Sequence, residues 1–109
     1  MNFEVLTTKP FERKLKPLAK KYHSIVDDLE LLEKELKRNP TLGTPLGKDC
    51  YKIRMAITSK GQGKSGGARI ITYIRVLKNT VYLMDIYDKS EQESITDREI
   101  QRAINKLTE

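Results

Sequence analysis

Lys60-Gly61-Gln62-Gly63-Lys64-Ser65-Gly66-Gly67-Ala68-Arg69-Ile70-Ile71-Thr72-Tyr73-Ile74 is the stretch whose reading decides the fold. A basic, glycine-rich loop runs directly into a β-branched segment with an arginine at its mouth. Glycines let backbone approach a ligand closely, and the cations make that ligand anionic. Gly63-Lys64-Ser65 invites a nucleotide-triphosphate reading, which fails twice. The phosphate-cradling pattern needs a glycine where Thr58 stands, and its loop must open a helix whose N-terminus meets the phosphates. Here the residues after the loop alternate with period two, the mark of a strand.

Outward from this loop the same periodicities place the other elements. On its N-terminal side Tyr51, Ile53, Met55 and Ile57 alternate with Lys52, Arg54 and Ala56, a half-buried strand. On its C-terminal side a strand over 68–76 is followed by a turn at Lys78-Asn79, where asparagine tolerates positive φ, and by a strand over 80–87. Further out, Phe3 and Val5 alternate in a short first strand. Pro10 suits a first helical position, and Phe11, Leu15, Leu18, Ala19 and Tyr22 share one helical face. Pro17 predicts a kink or a short helix there. A second helix starts near Ser24, with Asp27 completing a capping box. It carries Ile25, Leu29, Leu32 and Leu36 and ends at Asn39-Pro40. Residues 40–48 read as a Gly/Pro loop. Thr96 and Glu99 form a capping box for a last helix lined by Ile100, Ala103, Ile104 and Leu107. The order β-α-α-β-β-β-α, with short links, predicts an α+β fold: a small antiparallel sheet with two N-terminal helices and a C-terminal helix.

The totals bound the rest. A chain of 109 residues predicts one domain, 1–109, with a single modest core. Lys and Arg total 21 against 15 Asp and Glu, a net charge of +6, which favours a polyanionic or acidic partner. The lone Cys50 cannot form an internal disulfide, and with no signal-like or membrane-spanning apolar run the expectation is a cytoplasmic protein without a membrane partner. One histidine, His23, at a helix boundary, cannot supply a histidine-pair nuclease mechanism, and one Cys with one His offers no usual zinc site. No cofactor and no metal are expected. Cys50 reads as buried packing.

Side chains two apart on a strand point the same way. Lys52 and Arg54 therefore share a face, as do Arg69, Ile71, Tyr73 and Arg75. Antiparallel pairing across the loop brings Arg54 near Arg69, with Lys60 and Lys64 over the same end and Tyr87, Asp88 and Lys89 leaving the last strand close by. The arginine follows two glycines, so its side chain is expected to project over the loop rather than into the core. The aromatic residues show no clustered stacking motif of the kind single-strand binders use.

Asp49-Cys50-Tyr51-Lys52-Ile53-Arg54, Gly66-Gly67-Ala68-Arg69-Ile70-Ile71-Thr72-Tyr73 and Ile86-Tyr87-Asp88-Lys89-Ser90-Glu91, in this order and spacing, resemble the RelE/ParE superfamily of bacterial type II toxins. The resemblance is greatest to its RelE- and HigB-like branch. It implies a messenger-RNA interferase that cuts the codon in the ribosomal A site and is neutralised by a cognate antitoxin. It also implies the roles: Lys52 and Arg54 as the basic pair of the first catalytic strand, Arg69 on the scissile phosphate, and Lys89 as a basic position after the last strand. No tyrosine stands at the family's C-terminal catalytic position, where Ser94, Ile95 or Thr96 fall, leaving Tyr87 or Tyr73 as substitutes. Lys60, Lys64 and Arg75 are expected to bind RNA. The chemistry is coherent without histidine, because RNA carries its own nucleophile, the 2′-OH; Lys52, crowded by cations, is the candidate base. The alternatives are a gyrase poison of the ParE branch and a non-catalytic RNA-binding module.

Overall fold

A computed structural model describes residues 2–92 and 94–107. Its elements are β1 (Glu4–Thr7), α1 (Lys9–Lys21), α2 (Ile25–Arg38), β2 (Thr44–Gly47), β3 (Cys50–Met55), β4 (Ala68–Arg75), β5 (Thr80–Asp88) and α3 (Asp97–Leu107). The five strands form one sheet in the order β1-β5-β4-β3-β2. The expected meander β3-β4-β5 is its antiparallel centre, and β1 joins it in parallel beside β5, which makes the sheet mixed.

The stripe of α1 (Phe11, Leu18) and that of α2 (Ile25, Leu29, Leu32, Leu36) bury against one sheet face, on Ile53, Met55, Ala68, Ile70, Leu83 and Ile86. Thr8 caps α1 by accepting from the Phe11 N–H at 3.5 Å, and its hydroxyl also donates to the Leu83 carbonyl at 2.9 Å, tying the helix start to β5. α3 opens with the predicted box: Glu99 N–H donates to Thr96 Oγ1 at 3.1 Å, and Thr96 N–H donates to Glu99 Oε1 at 3.1 Å. It lies by β5, where Ile95, Glu99 and Ala103 share a cavity wall with Met84 and Asp85.

Three local expectations change. α1 runs unbroken through Pro17. Pro17, which gives the Arg13 carbonyl no donor, lies with Arg13 on the exposed side of the helix. Ser24 precedes α2 without capping it; its hydroxyl instead donates to Asp28 Oδ2 and accepts from the Ser59 N–H, at 2.9 and 2.8 Å. Within the predicted loop 40–48, Thr44–Gly47 forms an edge strand on β3. An edge admits Pro45, and Lys48 and Asp49, at φ 56° and 62°, make the two-residue hairpin between Gly47 and Cys50.

Gly67 ends the basic loop against the neighbouring strand. A Cβ there would lie 2.1 Å from the Met55 carbonyl oxygen, so only glycine lets β4 enter the sheet at this register. Gly67→Ala should therefore cost about 1–3 kcal/mol, the range for overpacking a fitted site. The check is chemical denaturation of the variant beside the wild type.

Candidate active site on the second sheet face

In an antiparallel pair, directly opposed residues place their side chains on the same face. Arg54 opposes Arg69, and Arg69 opposes Tyr87, so three strands contribute one lateral row on the face away from the main core. Lys52, Ile71 and Asp85 form the next row. Met84 has no partner, because Ile71 opposes Asp85 while Thr72 opposes Leu83; this bulge lies just past the second row. The first row is graded in exposure: Arg54 is exposed, whereas Arg69 and Tyr87 are each 4 % exposed.

Arg69 does not project over the loop as the sequence suggests; it is buried beneath it. Its Nη1 donates to the Lys64 and Ala68 carbonyls at 2.9 and 3.2 Å, and Nη2 donates to the Ser65 carbonyl at 3.2 Å. The glycine-rich chain turns its carbonyls inward onto the cation. These three bonds use three of the five N–H donors of the guanidinium and leave two, Nε–H and one hydrogen of Nη2, for an anionic ligand. Burial, and then the charge of Arg54, lower the Arg69 pKa, while Tyr87 acts in the opposite sense.

The Tyr87 hydroxyl is buried and has no hydrogen-bond partner among the described residues. Burial raises its pKa; Arg69 opposes this, and Asp85 and Glu99 add to it. The phenol is thus kept protonated beside a guanidinium, the state of a proton donor. Lys14 reaches from α1 to Asp85 at 2.7 Å and partly neutralises that carboxylate.

Lys52, Arg54 and Lys64 line one open cleft of about 450 Å³ at the end of β3 that extends past its pairing with β2, closed on the other side by Asp28, Leu31 and Glu35 of α2. Lys89 follows β5 directly, its N–H donating to the Gly67 carbonyl at 3.0 Å. Arg75 and Tyr73 share the face but not the site. Arg75 lies six residues along β4 from Arg69, ~20 Å at ~3.3 Å per residue. Tyr73 stacks on Tyr82, with ring centroids 6.4 Å apart, an aromatic pair that sequence spacing did not disclose.

Lys60 is also drawn away from the row. Its Nζ meets Asp88 Oδ1 at 2.8 Å and Ser90 Oγ at 3.3 Å, and lies 5.5 Å from the centre of the Tyr22 ring. The Tyr22 hydroxyl donates to Asp88 Oδ2 at 2.5 Å, and the Ser90 N–H and hydroxyl donate to Oδ1. Sequence reading assigned Tyr22 to the apolar stripe of α1 and gave Asp88 no role; a stripe pattern cannot show where a hydroxyl ends. Cys50 is 1 % exposed, and burial pushes its thiol up to about 11, consistent with packing rather than nucleophilic attack. No His/Cys/Asp/Glu group able to hold a metal occurs among the described residues.

A family model described as the RelE toxin of the RelE/RelB toxin-antitoxin system matches residues 4–108. Among solved structures, a double arginine-to-alanine mutant of the E. coli toxin RelE in the free state is similar in fold, with a TM-score of 0.63. It is 17 % identical over 98 % of this chain and 99 % of that one. A metal-bound toxin from Helicobacter pylori is 23 % identical over 82 % of this chain and 97 % of that one, with a TM-score of 0.46.

Burial raises the Asp88 pKa, but the hydrogen bonds from Lys60, Tyr22 and Ser90 outweigh it and hold the carboxyl well below the usual carboxylate range. A group held below its unfolded value stabilises the fold above that value, about 4, and loses the contribution as pH falls through it towards the folded value. Asp88→Asn should cost up to about 3 kcal/mol at neutral pH, because the largely enclosed Lys60 ammonium loses its charged partner. The wild-type and variant stabilities, measured by urea unfolding, should converge as pH drops below about 4.

Proposed function

This chain belongs to the RelE toxin family, and from that premise we propose that it is a ribosome-dependent endoribonuclease that cuts messenger RNA in the A site. The observation that carries the reading is the pair of N–H donors left over on the Arg69 guanidinium, opposite Tyr87, whose hydroxyl has no partner among the described residues. In the proposed step the 2′-OH attacks the adjacent phosphorus and Lys52 accepts its proton. Arg69 and Arg54 neutralise the charge that develops on the non-bridging oxygens. Tyr87, its buried hydroxyl uncovered when RNA binds, gives its proton to the departing 5′ oxygen, leaving a 2′,3′-cyclic phosphate. The scheme calls on no metal. Tyr87 is preferred to Tyr73 because it stands in the row of Arg69, whereas Tyr73 lies two rows along. Lys64, on the cleft that Lys52 and Arg54 line, is assigned to the RNA backbone, and Lys89 remains a candidate contact beyond the row.

The setting is the cytoplasm, where translated messages are. No described helix is long and apolar enough to cross a membrane. Membership of a toxin–antitoxin family implies an antitoxin. The net charge of +6 favours an acidic or amphipathic segment of it on the cationic cleft.

Tyr87→Phe is the decisive variant, because it removes only a buried hydroxyl that has no partner among the described residues. Stability should be unchanged or slightly raised, since burying an unsatisfied polar group carries a cost. Cleavage of a message on programmed ribosomes, read by primer extension, should fall ~10²- to 10⁴-fold. A Tyr87→Phe protein that cuts at the wild-type rate removes the phenol from the mechanism. Intact messages with poisoned gyrase would place the protein in the ParE branch instead.

Arg69→Ala, by contrast, should lose stability as well as activity, because the loop carbonyls lose their donors. Arg69→Lys keeps the charge but cannot fork, so it should restore the fold further than the cleavage rate. Thermal melts beside the same cleavage assay separate the two effects.

A further inference from the structure

The glycine-rich loop carries the carbonyls that hold Arg69, so whatever holds the loop acts on the arginine. Glycines resist no deformation themselves, and the loop needs outside anchors. At its start Thr58 N–H and hydroxyl both donate to Asp28, and the Ser59 N–H donates to Ser24. At its end the Gly67 carbonyl accepts from Lys89. Between them, the side-chain anchor is Lys60. It is drawn under the loop onto an Asp88 side chain that is 0 % exposed, at the end of the strand that carries Tyr87. The carboxylate is shared by Lys60, Tyr22 of α1 and Ser90, so loop, helix and strand meet on one buried charge.

We propose that Lys60, with Asp88 and Tyr22, is a latch that fixes the loop so that the Lys64 and Ser65 carbonyls hold Arg69 with its two remaining N–H donors left for the phosphate. This rests on the assignment of Arg69 to the scissile phosphate. Lys60 is then a positioning residue, not a contact to RNA. The distinction is measurable, because a lysine on a phosphate contributes about one unit to the salt slope of RNA binding, and a buried latch contributes none.

The test compares Lys60→Met, Lys60→Arg, Tyr22→Phe and Lys64→Met on programmed ribosomes. Cleavage kinetics are measured on a normal message, and the salt dependence of binding on a message whose scissile 2′-OH is replaced by hydrogen. Lys60→Met should lower kcat by about 10²-fold, the cost of misplacing a catalytic group by an ångström, with KM and the salt slope unchanged. Amide exchange over residues 61–66 should accelerate in the same variant. Lys60→Arg should recover part of the rate, and Lys60→Met should add nothing in an Arg69→Lys background. Lys64→Met should reduce the salt slope by about one. Tyr22→Phe, which deletes one hydroxyl, should lower kcat less, in the same pattern, and decides the matter if Lys60→Met does not fold. A salt slope reduced by about one in Lys60→Met, or wild-type kcat in the latch variants that fold, overturns the latch alone. A wild-type protein that cuts no programmed message overturns the cleavage reading and this inference with it.

Discussion

The structure depends on the register of three antiparallel strands. Arg54, Arg69 and Tyr87 come from positions up to 33 residues apart in the chain and meet only because β3, β4 and β5 align them across the sheet. A slip of one residue would turn all three towards α1 and α2 and expose Ile53, Ile70 and Ile86. The core on one face and the site on the other are two readings of the same alternation. Gly67, packed against the Met55 carbonyl, fixes the point from which the alternation on β4 is counted.

Packing and chemistry make opposite demands at this end of the sheet. Two arginines opposed across strands repel, and the cost is limited because Arg54 extends into solvent while Arg69 is wrapped by backbone carbonyls. Asp88 supplies a compensating charge on the other face, paired with Lys60 rather than with either arginine. The guanidinium pair thus keeps its positive field, while the Asp88 carboxylate is kept occupied by Lys60 beneath the loop.

Periodicity carried most of the fold. The stripes of α1 and α2, the alternation of β3 and the box at Thr96 and Glu99 are local patterns with local causes, and they read correctly from the chain. What escaped was set by tertiary partners. Lys48-Asp49 has none of the glycine that usually announces a two-residue hairpin, so β2 read as loop. β1 lies parallel to β5 because α1 and α2 return the chain across the sheet, and nothing in Phe3–Val5 specifies that orientation. At the site, the row was legible as soon as β3 was paired with β4. The direction of Lys60 was not: a lysine in a basic loop looks the same in sequence whether it faces water or a buried Asp88 across 28 residues of chain. The burial of Arg69 was likewise hidden, because its acceptors are main-chain carbonyls that no residue type reveals.

The unpaired Met84 acts on β5 as a frameshift acts on a message. Upstream of it, Val81 and Leu83 face the helices and Tyr82 faces away; downstream, Ile86 and Asp88 face the helices and Tyr87 faces away. One strand therefore runs in two phases. The half that pairs with β1 keeps its own inside and outside, and the half that carries Tyr87 keeps another. Residues can vary on either side of the join without rephasing the other half. Loss of Met84 alone would join the two halves into one regular alternation, with Leu83 and Ile86 still inward and Tyr87 still in the row of arginines.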